Sequence, residues 1–410
     1  MTKKLLSTLI ASLFASAPAL AQSDDPMRVE GRATLGGIYI SVSLLVPLVA
    51  ARAIAVEHER RSLRVLLLQT AAPMRLLITK YLAALLGGAL LLLPMAAMLL
   101  QWCIVGGHLH AGETLISLLG HILHLAFLTA LACAAAAWTG TVAQAATLTL
   151  LCVLASWGID AAEGFAALAW LGGVADWSIT AHLHAFEHGI LNLGDCAWLA
   201  TATTGALALS YVGLRFDWAR PKRSLAVLLI LFATTLLMRF AGQVPRAFDC
   251  TEGKRASLPP AAEAALRAVP MPIALTVFLD RDDARRRQIE QDVLSKLRLA
   301  RPDVRVTYPP DRITASTEAA RDEGYGRILV CAGVQCKETY SASRKELVTL
   351  IFEAANQPLP DWSQPSYPGY PLVIEGRARS ALLWGAYVAI PALFCGLGLW
   401  MTIPRRRRRK

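Results

Sequence analysis

From Tyr81 to Leu214 the chain runs 134 residues without a Lys or Arg, and basic clusters flank that stretch on both sides. Its only charged side chains there are Glu113, Asp160, Glu163, Asp176, Glu187 and Asp195, and all six fall between the most apolar segments. Cytoplasmic loops of membrane proteins retain Lys and Arg, whereas short translocated loops shed them. The pattern predicts a polytopic α-helical membrane protein. Its basic flanks (Arg60, Arg61, Arg64, Arg75 and Lys80; Arg215, Arg220, Lys222 and Arg223) are expected on the cytoplasmic side.

Composition agrees. A chain that is 55% hydrophobic and 17% charged is too apolar for an ordinary soluble enzyme. The formal net charge of +11 raises the question of nucleic acid. Residues 248–378, however, hold 18 basic and 18 acidic side chains, so the excess lies in the membrane flanks and reports topology rather than a nucleic-acid surface.

Stretches of about 20 mostly apolar residues lie near 35–55, 81–101, 115–137, 142–159, 196–214, 223–241 and 380–402. Residues 1–22 (Lys3 and Lys4, an apolar run, then Ala19-Leu20-Ala21) fit a secretory signal peptide or an uncleaved first membrane helix. The expectation is seven or eight spans with an inserted α/β extracytoplasmic domain. Residues 23–222 form the helical bundle, 223–247 a membrane helix and linker, 248–378 the α/β domain, and 379–410 a last membrane helix with the basic tail Arg405–Lys410 against anionic lipid. Phe165 to Val174 is apolar yet too short to cross, which suggests a re-entrant or interfacial pair of half-helices in the outer loop.

Within 248–378, residues 273–279 read as a buried strand, 284–300 as a helix with Ile289, Val293 and Leu297 on one face, and 304–308 as a second strand, a βαβ unit. A further strand at 327–332 leads into a hairpin, and 343–356 reads as a helix. Cys331 and Cys336 flank the hairpin turn, where a cross-hairpin disulfide is geometrically open. Most other cysteines sit in or beside apolar segments as small hydrophobes.

All eight histidines lie at or before His188, so the α/β domain holds no Cys/His or Ser/His constellation for nucleophilic catalysis. Asp280, Asp282 and Asp283 could gather a cation, but a helix N-cap and loop solvation explain them as well. His182, His184 and His188, with His108 and His110 on the same side, form an imidazole-rich outer patch. Water and backbone satisfy such histidines more often than metal does, and no metal is assigned. His121 and His124 are expected to face the bundle interior.

Between two spans sits Glu57-His58-Glu59-Arg60-Arg61-Ser62-Leu63-Arg64-Val65-Leu66-Leu67-Leu68-Gln69-Thr70, followed by Ala71-Ala72-Pro73-Met74-Arg75. Leu63, Leu66, Leu67 and Thr70 recur at helical spacing, as in an amphipathic helix lying in the interface plane over 60–72. Here the sequence resembles the permeases of the type-2 class of ABC exporters, and among them the gliding-motility branch. Pro47-Leu48-Val49-Ala50-Ala51-Arg52 matches that family's Pro-Leu-x-x-x-Arg, Thr70-Ala71-Ala72-Pro73 its Thr-x-x-Pro-like turn, and Lys80 the Lys that opens the next span. Ser178, His182, Phe186, Gly189 and Asp195 resemble its outer-loop segment. Leu63-Arg64 stands where the family has Gly-Thr. The entry to the α/β domain, Asp249-Cys250-Thr251 with Lys254, Ser257 and Leu258, resembles the auxiliary gliding-motility protein, with Pro259 in place of a Ser.

The resemblance implies an export permease fused to an auxiliary-type domain, with no catalytic residue of its own. Arg52, Glu57, Glu59, Arg60, Arg61, Leu66, Leu67, Thr70 and Pro73 would couple it to a separate cytoplasmic ATPase, and His182, Phe186 and Gly189 would shape the outer loop. No Gly-x-x-x-x-Gly-Lys-Ser/Thr pattern occurs in the 410 residues, so ATP and Mg belong to the partner chain and no cofactor is expected on this one. The implied setting is a bacterial inner membrane with a periplasmic domain. The implied partners are lipid and a second permease, as homodimer or heterodimer. The rival expectation is a mechanotransmission scaffold acting on an envelope partner through the outer domain.

Overall fold

The computed structural model describes residues 39–70, 73–104, 109–162, 177–280 apart from 243, 245, 252, 253 and 255, then 283–309, 325–359 and parts of 384–396. The expected signal segment, the half-helices at 165–174, the expected last span for the most part and the basic tail lie outside the described residues.

Six described helices are long and apolar enough to cross a membrane: α1 (Tyr39–Glu59), α3 (Pro73–Ala97), α4 (Ala111–Trp138), α5 (Val142–Ile159), α7 (Leu193–Leu214) and α8 (Arg220–Ala241). Two short helices join them, α2 (Leu63–Thr70) between the first two and α6 (Ile179–Glu187) ahead of α7. This is the architecture of a multi-pass membrane protein. The helices alternate in direction. Glu59, Val142 and Arg223 meet at one end, which we term the basic end, while Gly112, Gly189 and Cys250 meet at the other, the acidic end.

Helix α4 is the axis of the bundle, packing against α1, α3, α5, α6 and α7. It can do so because one half is built from small residues. Ala130, Ala132 and Ala134 to Ala137 are all buried, and side chains of that size let neighbouring helices approach closely where lipid offers no hydrophobic drive for association. Helix α8 lies at the periphery, with Leu225, Leu228, Leu229, Phe232 and Leu237 exposed, the surface of a helix that meets lipid.

The chain then leaves α8 and forms a two-stranded antiparallel ladder, β1 (Ile190–Asn192) with β2 (Ala247–Asp249), at the acidic end. Beyond it lies a small α/β unit. Its sheet, ordered β4-β3-β5-β6, comprises β3 (Ile273–Val277), β4 (Arg305–Thr307), β5 (Ile328–Ala332) and β6 (Gln335–Thr339). Strands β3 and β4 are parallel, linked by a right-length helical crossover: α10 runs as Ala284–Ile289, a π turn over Glu290–Leu294, then Ser295–Ala300. The expected βαβ unit and hairpin are therefore present. Ile273, Leu275 and Val277 alternate with half-exposed neighbours and bury one face of the sheet. That face packs against α9 (Pro260–Ala268), α10 and α11 (Arg344–Ala354) through Leu266, Val293, Leu297, Leu347, Ile351 and Phe352. Cys331 and Cys336 are register partners across β5 and β6, their Cα atoms 4.1 Å apart, and a disulfide joins them.

Candidate functional site

The elbow between α1 and α3 is held at both shoulders by carboxylates. Glu57, near the end of α1, pairs with the Lys80 ammonium on α3. Its carbonyl also accepts from the Ser62 N–H at 3.0 Å and the Ser62 hydroxyl at 3.3 Å, which folds the chain back after the helix. Glu59 reaches across the bundle to accept the Val142 N–H at 3.3 Å, a carboxylate set on the open N-terminus of α5, where the helix dipole favours it. Arg61 closes the turn in the left-handed region at φ 58°, a conformation that costs a side-chain-bearing residue about 1–2 kcal/mol.

That turn corrects the expected boundary of the elbow helix. A left-handed residue ends helical geometry, so α2 begins at Leu63 rather than at residue 60, and Arg60 and Arg61 stand exposed in the turn. Leu63 is fully buried against Ile54, Leu77 and Tyr81 and anchors the helix to the bundle. Of the expected coupling set, Leu66, Leu67 and Glu57 are half-buried, while Glu59 is exposed and reaches Val142 from the surface. Arg52 is exposed on α1, Pro73 opens α3, and the Thr70 side chain lies outside the described residues.

The surface turned away from the bundle is Arg64, Val65, Leu68 and Gln69, with Val65 54% and Leu68 83% exposed. The stripe expected from the sequence, Leu63, Leu66, Leu67 and Thr70, leaves out this second, i, i+3 pair. The signal was there in a helix apolar on more than one face. Around it runs a basic and aromatic collar. Arg64 lies over the Phe216 ring at 5.3 Å, Arg223 over Trp138 at 4.8 Å, Lys222 over Trp218 at 4.5 Å and Arg215 over Trp218 at 4.9 Å. Arg223 also donates to the Gly213 carbonyl at 3.0 Å. Arg215 grips Asp217 with two bonds, 2.8 and 2.7 Å, which holds that carboxyl below its usual range.

At the acidic end the three expected outer residues each take a different partner. His182 Nδ1 and Asp195 Oδ1 are 2.6 Å apart, and the imidazole stacks on Trp198 at 4.1 Å. Phe186 is fully buried against the bare face of Gly120, where a Cβ would have no room. Gly189 takes φ 71° and its carbonyl accepts from the Cys250 N–H at 3.0 Å, joining the loop to the entry of the α/β unit. His110 Nδ1 accepts the Glu113 N–H at 3.4 Å and caps α4.

Among the described residues no three His, Cys, Asp or Glu side chains converge on a point that could hold a metal ion, and His108 lies outside them. Asp283 is engaged by Arg285 and by the Tyr325 hydroxyl at 2.9 Å, and its Oδ1 accepts the Arg285 N–H at 2.8 Å; the Arg285 bonds, above all, hold its carboxyl at about 2. Of the two explanations for those aspartates, Asp283 fills the local helix-start role, and Asp282 lies outside the described residues. No protein-family model, no curated protein and no solved structure matches this chain.

Proposed function

We propose that this chain is the transmembrane subunit of an ATP-driven ABC exporter, coupled through α2 to a separate cytoplasmic ATPase, with its substrate not yet defined. The observation that carries the reading is the outward face of α2. Val65 and Leu68 project from a short helix anchored by Leu63, and a helix with an exposed apolar pair rimmed by Arg64 and Gln69 suits a groove in a partner protein. Its flanks are tied to α3 by Glu57–Lys80 and to α5 by Glu59, so a push on α2 would reach two further spans.

Orientation rests on two independent signs. The basic collar is at the end that carries α2, where the positive-inside tendency puts the cytoplasm. The Cys331–Cys336 disulfide belongs to the unit reached from the opposite end, and such bonds persist in an oxidising compartment such as the periplasm.

The test is affinity purification of the full chain from native membranes with nucleotide hydrolysis as readout. Co-purification of a Walker-A-bearing subunit, lost in Leu68→Asp while the permease stays folded, supports the reading. A folded permease that brings no nucleotide-hydrolysing partner overturns it.

One observation favours the scaffold reading as a mode of output. The β1–β2 ladder joins the loop ahead of α7 directly to the strand that opens the α/β unit, so bundle motion would be passed on as movement of that unit. Deleting 250–378 would abolish all output in a scaffold and spare transport in a simple exporter.

A further inference from the structure

Helix α4 carries Ser117, His121 and His124 at spacings of four and three, one stripe along a single face, and all three are buried. His124 Nε2 lies 3.0 Å from the buried Ser43 hydroxyl on α1, and the Tyr39 ring packs on it at 5.2 Å. The other polar atoms of the stripe have no protein partner among the described residues: His124 Nδ1, the Ser117 hydroxyl, and both ring nitrogens of His121, which is 0% exposed. A buried imidazole with neither nitrogen satisfied is costly in a membrane interior, so such a group persists where water completes it.

We propose that this stripe lines a hydrated proton half-path, open toward the acidic end and closed at Ser43, in which Glu187 is the entry carboxylate and His121 the relay. The chemistry needs an imidazole with both nitrogens free. His121 accepts on one ring nitrogen a proton from a water that a protonated Glu187 in turn reprotonates, and gives the proton of its other nitrogen to the open His124 Nδ1, so that Glu187 ends as carboxylate, His121 ends neutral with its tautomer exchanged, and the positive charge rests on His124. Glu187 stands at the right place to feed it. It follows Phe186, which rests against Gly120, the residue before His121, and its side chain is only 8% exposed, held by His184 Nδ1 at 3.2 Å.

The other titratable groups around His121 are few. Helix α4 itself gives His124 and, at its start, Glu113. Helix α6 gives His184 and His182, the latter paired with Asp195 of α7, and α7 also gives the half-buried Cys196. Helix α1 gives Tyr39, and α3 gives Tyr81, whose hydroxyl is donated to the Ala126 carbonyl at 3.2 Å. Among the described side chains of α5 the titratable one is Cys152, which is exposed. Beyond His124, α4 continues through Leu125, Ala126, Phe127 and Leu128, and the next polar side chain, Thr129, gives its hydroxyl to the Leu125 carbonyl at 2.8 Å, which is why the path ends there.

Solid-state NMR of the full chain, labelled with nitrogen-15 histidine in lipid nanodiscs, tests the proposal. His121→Phe, or His121→Gln if the larger ring does not fold, assigns the signal. The His121 ring N–H should exchange with water, and Glu187→Gln, which keeps a hydrogen-bond acceptor for His184 but cannot carry the proton, should slow that exchange about tenfold or more. A His121 ring that shows no exchange with water overturns the proposal, as does an exchange rate unchanged in Glu187→Gln.

Discussion

The Glu57 carboxylate and the Lys80 ammonium close the elbow from opposite sides, so the end of α1 and the start of α3 are bound by a charge pair across 23 residues. Both side chains are mostly covered, 20% and 28% exposed, and neither charge is well hydrated. Removing one leaves the other stranded. Glu57→Gln and Lys80→Met should each lower stability by about 1–2 kcal/mol. The double variant should be less destabilised than their sum, with a coupling of at least ~0.5 kcal/mol. Thermal unfolding of the purified single and double variants measures this.

Within α2 the two faces should respond differently. Leu63→Ala empties a packed site beside Ile54 and Leu77 and should cost about 2–4 kcal/mol. Val65→Asp and Leu68→Asp alter exposed positions and should change stability by no more than ~0.5 kcal/mol. If α2 seats in an ATPase, those same exposed changes abolish ATPase capture. Unfolding midpoints set beside pull-down yields separate the two effects.

Arg61 pays a conformational penalty that glycine does not. At φ 58° an L side chain is strained, and Arg61→Gly should raise stability by about 0.5–1 kcal/mol once glycine's greater freedom in the unfolded chain is counted. Loss of stability in that variant would mean that the Arg61 side chain has a partner worth more than the strain.

The α/β unit carries a pH signature. The Asp283 carboxyl is held at about 2 in the folded state, chiefly by Arg285, against about 3.9 for a free Asp. A lowered folded value means the stabilisation is complete above pH 4 and is lost as pH falls from about 4 to 2. Arg285 is about half-exposed, so solvent screens the pair and the loss is roughly 1 kcal/mol. Acid unfolding followed by circular dichroism should show Asp283→Asn less sensitive over that window than the parent chain.

Apolar length and the missing basic residues made the spans legible in the sequence, because lipid imposes the same demand on every crossing helix. The α/β unit was legible for a similar reason: Ile273, Leu275 and Val277 alternate, and Ile289, Val293 and Leu297 recur at helical spacing. What could not be read was how the elbow is divided. Glu57 and Glu59 look like surface charge in a basic segment, and only the return of α3 and α5 to the same end gives them Lys80 and the Val142 N–H as partners. The left-handed turn at Arg61 was equally hidden, since arginine gives no sign of it. The same long-range logic conceals Phe186, whose place depends on Gly120, 66 residues earlier.

Gly189 tests whether the junction between bundle and α/β unit is rigid. Its φ of 71° disfavours any side chain, and a Cβ there would meet Thr251 Cγ2 at 2.7 Å and Glu113 Cγ at 3.0 Å. Gly189→Ala should therefore cost about 2–3 kcal/mol, part from backbone strain and part from the clash. Thr251→Ser removes Cγ2 but keeps the hydroxyl, which donates to Asp249 Oδ1 at 2.5 Å and accepts the Ala256 N–H at 3.2 Å. Added to Gly189→Ala, it should relieve the Thr251 part of the clash and leave the Glu113 contact and the strain, restoring roughly 1 kcal/mol. If the double variant is no more stable than Gly189→Ala alone, the Thr251 methyl is not what fills that space.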